Sequence, residues 1–238
     1  MKKWIMILST AMILLVTSAY ALNELTKSRS FQFFGGIVSE VDTSEKVVAL
    51  TFDDGPTEYT DEILEILRDK DVKATFYLTG QEIEEYFDEA VKIVDEGHEI
   101  GNHSYSHERM VFKSPGFIKD EIEKTDEWIR AAGYEGDIHF RPPYGRKLVV
   151  LPHYLNKHER KTVLWNIEPE SSSDIASSPN KMIEHAVENV RPGSIILMHV
   201  MYESRRSSMD SIEGMITALE DEGYTFTTVS ELLAYEED

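Results

Sequence analysis

The sequence has 238 residues, enough for one domain with a proper core behind a short leader. It contains no cysteine, which excludes disulfides, thiolate nucleophiles and thiolate metal ligands together. Its formal charge of −20 argues against nucleic acid or anionic lipid headgroups as partners. The acids fall mostly on helix-like runs such as 82–89 and 220–222, the pattern of a solvated face.

Residues 1–21 read as a leader. Met1-Lys2-Lys3 is a short positive start, 4–19 are nearly all apolar or small, and Ala19-Tyr20-Ala21 offers an A-x-A cleavage pattern. A secretory signal peptide is the first reading and an uncleaved membrane anchor through residues 4–20 the second. Either one puts the rest of the chain outside the cytoplasm, secreted or tethered to the outer face of the cytoplasmic membrane. Residues 22–44 read as a polar linker and a short leading hairpin interrupted at Gly35-Gly36, and residues 45–238 as the working domain.

Within that domain the patterning alternates. Strands are expected at 46–52, 73–79, 98–102, 137–141, 162–167, 194–200 and 224–229. Between them, helices are expected at 59–70, 83–94, 115–132, 148–159, 181–190 and 208–222. Pro152 argues against one clean helix over 148–159. About seven such units without a repeat or long linker predict an α/β fold, a closed or nearly closed barrel of mostly parallel strands with outer helices. Catalytic groups then belong at the carboxyl ends of the strands, where Asp53, Asp54, His103, Arg141 and His199 all fall.

Those residue types suit one chemistry. His103 and His107 are spaced i and i+4, which brings two imidazoles to one side of a helical turn. Asp54 completes a His-His-Asp set, whose three protein ligands leave positions open for water and substrate. Zinc is the default divalent metal, and cobalt, nickel, manganese or iron(II) also suit oxygen and nitrogen donors. Asp53 stays free to take a proton from water. Arg141 either holds Asp53 ionised or makes a plain structural ion pair. The Tyr144 N–H, after two prolines that cannot donate, can face a developing oxyanion, with Gly145 leaving room. His199, ending an apolar strand, suits a general acid or a simple rim histidine. His98, His139, His153, His158 and His185 have no matching partners, and Trp128 and Trp165 read as packing. Tyr202 to Arg206, directly after His199, reads first as solvated loop and second as the mouth of the site, with Arg205 or Arg206 touching substrate.

Four motifs now stand in order: Thr51-Phe52-Asp53-Asp54-Gly55-Pro56, His103-Ser104-Tyr105-Ser106-His107, Arg141-Pro142-Pro143-Tyr144-Gly145 and Leu197-Met198-His199. In order and rough spacing they resemble the polysaccharide deacetylases of carbohydrate esterase family four, over about residues 45–232. The resemblance implies a deformed (β/α) barrel and metal-dependent removal of N-acetyl, sometimes O-acetyl, groups from glycans. It implies Asp53 as base, Asp54, His103 and His107 as metal ligands, and Arg141 as the residue orienting the base. It further implies Tyr144 as oxyanion donor, Leu197 in the acetyl pocket and His199 as acid.

One departure stands out. The Asp-Trp pair usual in that family is missing where Glu170-Ser171-Ser172-Ser173-Asp174 stands; Glu170 or Asp174 can replace the charge, while nothing obvious replaces the Trp. The expectation is a monomeric extracytoplasmic deacetylase acting on peptidoglycan N-acetylglucosamine first and chitin oligomers second. Its rivals are a non-catalytic glycan-binding wall protein, an O-acetyl xylan esterase and, more distantly, a two-histidine-one-carboxylate iron oxygenase.

Overall fold

A computed structural model describes residues 2–236. Seven strands are assigned: β1 (Ile37–Val38), β2 (Val47–Asp53), β3 (Thr75–Leu78), β4 (Glu99–Asn102), β5 (Thr162–Val163), β6 (Ile195–Met198) and β7 (Thr225–Thr227). Every strand pair is parallel, and the main sheet runs β4-β3-β2-β6, with β7 added beside the start of β2. Single bridges close the ring: Asn102 to Phe140, Phe140 to Thr162, and Ile167 to Ile196. Two of the seven expected strands are therefore reduced: 137–141 contributes only the two bridges at Phe140, and 162–167 only the pair Thr162–Val163 and the bridge at Ile167. The result is a deformed (β/α) barrel, irregular on that side.

β2 is buried along its whole length, as a central strand between two layers must be. Its period of two sorts the side chains. Val48, Leu50 and Phe52 pack outward with Ile63, Leu64 and Leu67 of helix Thr60–Asp69. Val47 and Ala49 join Tyr77, Val163, Trp165, Ile195 and Leu197 on the inner side. Thr51 and Asp53 share that inner parity, so the strand itself delivers Asp53 to the barrel interior.

The helices follow the sequence pattern with physical exceptions. The expected helix over 83–94 is two, Gly80–Glu85 and Phe87–Asp95, broken at Tyr86 (φ −118°, ψ 53°). Pro152 sits in the first turn of helix Val150–Lys157, where its missing N–H costs nothing. Helix Pro115–Ala131 starts at Ser114, whose side chain accepts the Phe117 N–H at 3.2 Å. The leading hairpin does not form. β1 pairs in parallel with β5 instead, because the inner ends of both are apolar and the barrel lacks a full strand there.

The amino terminus is a single helix, Lys2–Thr26, which runs through Ala19-Tyr20-Ala21 and takes up part of the segment read as linker. Its Met6–Thr26 stretch is long and apolar enough to cross a membrane, with mean hydropathy 1.7 over a window that the domain leaves unburied.

Candidate active site

The β2 end carries both carboxylates. Asp53 is buried, and its Oδ1 accepts from Arg141 Nη1 at 2.6 Å. Arg141 is the largest fully buried side chain; it also donates to Thr51 Oγ1 (2.8 Å) and the Leu164 carbonyl (3.1 Å), and its guanidinium lies 3.9 Å from the Tyr77 ring centroid. Burial alone would raise the Asp53 carboxyl, but the Arg141 charge, followed by His103 and His199, holds it below the ordinary carboxylate value.

Beside it stand Asp54, His103 and His107, whose ligand atoms lie within 4.8 Å of one another. Asp54 Oδ1 is 3.8 Å from His103 Nε2 and 3.4 Å from His107 Nε2. Two donors about 2.1 Å from one tetrahedral ion sit roughly 3.4 Å apart, so the three residues fit a shared divalent cation. His103 is set for it: its Nδ1 lies 2.7 Å from the Arg141 carbonyl, which can only accept, so the proton is on Nδ1 and Nε2 keeps its lone pair. Burial, then the neighbouring His103, push His107 below the ordinary histidine value, favouring the neutral ligand form.

The two imidazoles do not meet on a helical turn, as their i, i+4 spacing suggested. His103–His107 is a loop with left-handed backbone at Ser104 (φ 67°) and His107 (φ 55°). Asp54 (φ 71°) and Tyr144 (φ 59°) are left-handed too, so four of the seven non-glycine residues with positive φ among those described belong to the site loops. Strain of about 1–3 kcal/mol each persists only where surroundings impose it. Two acids brace the loops of Asp54, Ser104 and His107. Glu121, on the inner face of helix Pro115–Ala131, accepts the N–H groups of Tyr105 (3.0 Å) and Ser106 (2.9 Å) and the Ser106 hydroxyl (2.9 Å). Glu82 accepts the Gly55 N–H and the Thr79 hydroxyl, both at 2.7 Å, and the Tyr202 hydroxyl.

Sequence reasoning missed both. Glu121 had a signal, a carboxylate on the apolar stripe of Ile118, Ile122, Thr125 and Ile129. Glu82 had none, being hidden in an acidic run.

Across the cleft, His199 follows β6. Its Nδ1 lies 2.7 Å from Glu170 Oε2, which also accepts the His199 N–H at 3.1 Å. Burial works to lower its pKa, but the Glu170 hydrogen bond, with Asp53 and Asp54 nearby, raises it to about 9. Glu170 thus supplies the charge lost with the Asp-Trp pair, while Asp174 points away to Lys181 at 2.8 Å.

Trp165, read from sequence as packing, lines the cleft with Leu197 and donates Nε1–H to Glu168 at 2.9 Å. An apolar wall is therefore present, brought in from the strand before the missing pair. The cleft measures about 820 Å³ and gathers Asp53, Asp54, His103, His107, Tyr144 and His199. In the Pro142–Arg146 turn, the N–H groups of Gly145 and Arg146 are taken by the Pro142 and Pro143 carbonyls, so the Tyr144 N–H is the turn's remaining donor. His98 and His139 are buried away from it; burial lowers the His98 pKa to about 4.

The parallel barrel and the grouping of these residues at its strand ends define the class of polysaccharide deacetylases. Residues 40–163 match that family, and the chain belongs to it. It is 30% identical over 206 residues to a peptidoglycan-N-acetylglucosamine deacetylase of Bacillus cereus, covering 84% of this chain and 94% of the relative. A solved peptidoglycan N-acetylglucosamine deacetylase superposes with TM-score 0.78 at 29% identity, over 84% of this chain and 95% of that one. A pseudoenzyme of carbohydrate esterase family four from Bacillus anthracis superposes with TM-score 0.77 at 30% identity, over 87% and 72%.

Proposed function

We propose that this chain is a metal-dependent, extracytoplasmic glycan deacetylase that removes N-acetyl groups, with peptidoglycan N-acetylglucosamine as substrate. One observation carries the reading: an aspartate ion-paired to a buried arginine stands beside, but outside, a His-His-Asp set, with a carboxylate-paired histidine in the same cleft. Asp54, His103 and His107 would hold a divalent cation, zinc first, and that cation would supply Lewis acidity to the attacking water and the acetyl carbonyl.

The chain's own residues do the rest. Asp53, kept ionised by Arg141, accepts a proton from the attacking water. The Tyr144 N–H donates to the oxyanion that forms as water adds to the acetamide carbon. His199, protonated at neutral pH, gives its proton to the sugar nitrogen as the C–N bond breaks, releasing acetate and a free amine. Leu197 and Trp165 enclose the acetyl methyl.

The B. cereus relative supports peptidoglycan as the first substrate, with chitin oligomers second. An O-acetyl ester would serve the same site, so paired substrates decide. Acetate release is expected from peptidoglycan and from N-acetylglucosamine oligomers, and little from acetylated xylan. A chain that binds these glycans yet frees no acetate is a non-catalytic wall protein, and the proposal fails.

A further inference from the structure

The cleft has one wall that the catalytic motifs do not supply. Where helix Lys2–Thr26 ends against the domain, Glu24, Lys27, Ser28 and Arg29 line the same space as Asp53 and His199. The junction is latched in place. The Lys147 N–H donates to the Thr26 carbonyl at 2.9 Å, and the buried Lys147 ammonium donates to the Ser28 carbonyl. Arg146 Nη1 reaches Asn23 Oδ1 and Thr26 Oγ1, both at 2.9 Å. Arg146 and Lys147 directly follow the Tyr144-Gly145 turn, so the junction is fastened to the loop that carries the oxyanion donor. On the other side, the Arg29 guanidinium lies 4.5 Å from the Trp165 ring centroid and 2.8 Å from Glu168.

The charge of this wall is at odds with the rest of the molecule. In a chain of net charge −20, Lys27, Arg29, Arg146 and Arg205 all line the cleft. Lys27 is matched by Glu24 at 2.9 Å and Arg29 by Glu168 at 2.8 Å. Arg146 and Arg205 have no carboxylate partner among the described residues, which leaves two unmatched guanidinium groups at the rim. Guanidinium binds planar or tetrahedral oxyanions through paired N–H donors.

We propose that this junction wall is a subsite for an anionic substituent, a carboxylate or a phosphate, carried by the N-acetylated glycan beside the sugar that is deacetylated. The substrate class rests on the deacetylase reading; the test of the subsite does not. Arg205 and Arg146, which both line the cleft, bind the anion.

The experiment measures binding to the full-length chain in detergent micelles, carrying Asp53→Asn so that no ligand is consumed. The probes are an N-acetylglucosamine tetramer and the same tetramer with a terminal 6-carboxylate or 6-phosphate. At least one anionic tetramer is expected to bind about five- to tenfold more tightly than the neutral one, the tighter of the two identifying the substituent. Arg205→Gln, at a side chain with no ion pair among the described residues, is expected to remove most of that preference, and adding Arg146→Gln the remainder. Equal affinity for all three probes, or a preference unchanged in both variants, overturns the subsite. Acetate release by the wild-type chain is read separately: its absence brings down the deacetylase reading and leaves the affinity ratio to decide whether the wall binds anions.

Discussion

Asp53 and Asp54 are adjacent in sequence, the proposed function gives them different tasks, and the backbone separates them. Asp53 keeps the inward parity of β2 and meets Arg141 at 2.6 Å, while Asp54, at φ 71°, leaves the strand and faces the two histidines. Asp53→Asn keeps the shape and removes the proposed base. It is expected to lower acetate release by about 10²–10⁴-fold with the metal content unchanged; equal loss of metal would make Asp53 a ligand instead.

As the proposed acid, His199 is expected to set the pH dependence. As an acid it must be protonated, and with its pKa raised to about 9 it stays so through neutral pH, activity falling as pH rises through that value. Glu170→Gln removes the largest raising contribution and leaves burial opposed by Asp53 and Asp54 alone. The alkaline limb of kcat/KM should then move down toward the ordinary histidine value or below it; a limb that stays near 9 would show that Glu170 does not tune His199. Both aspartates, His103, Arg141 and His199 were legible in the sequence because each sits at or just past the end of a strand pattern, and His107 because of its spacing from His103. Trp165 was not, since a tryptophan within an apolar run looks the same whether it packs inward or walls a cleft.

At the scale of elements, the site depends on loops held by acids from neighbouring helices. Glu121→Ala removes three hydrogen bonds from the Tyr105-Ser106 loop and should weaken metal affinity by about 10–100-fold, measured by chelator competition. Unchanged affinity would mean that the loop holds its shape unaided. The i, i+4 histidines misled for the same reason: the spacing shows that two rings can meet, but a loop with two left-handed residues achieves this as well as a helical turn.

Gly193 joins the amino-terminal segment to β6, its carbonyl accepting from Val41 and its N–H donating to the Val47 carbonyl, both at 2.9 Å. It has φ 79°, and a Cβ there would sit 1.8 Å from the Val41 carbonyl oxygen. Gly193→Ala is therefore expected to cost about 3 kcal/mol or more, roughly 6–12 °C in Tm for a chain of this size. A Tm within a degree or two of wild type would contradict this packing.

In the whole molecule, alternating strand and helix patterns gave the parallel barrel and the edge that carries the site. They did not give its irregular side, where Phe140, β5 and Ile167 stand in for full strands and β1 joins β5, because two-residue pairings leave no periodicity. Nor could they show that the helix Lys2–Thr26 ends against the cleft, since that contact depends on Arg146 and Lys147 far along the chain.

The proposed chemistry requires one cation shared by Asp54, His103 and His107. It is tested most directly by following acetate release from an N-acetylglucosamine oligomer before chelation, after chelation and after zinc is restored. Loss of release on chelation and its recovery with zinc is the predicted result. Undiminished release from the chelated protein would contradict it.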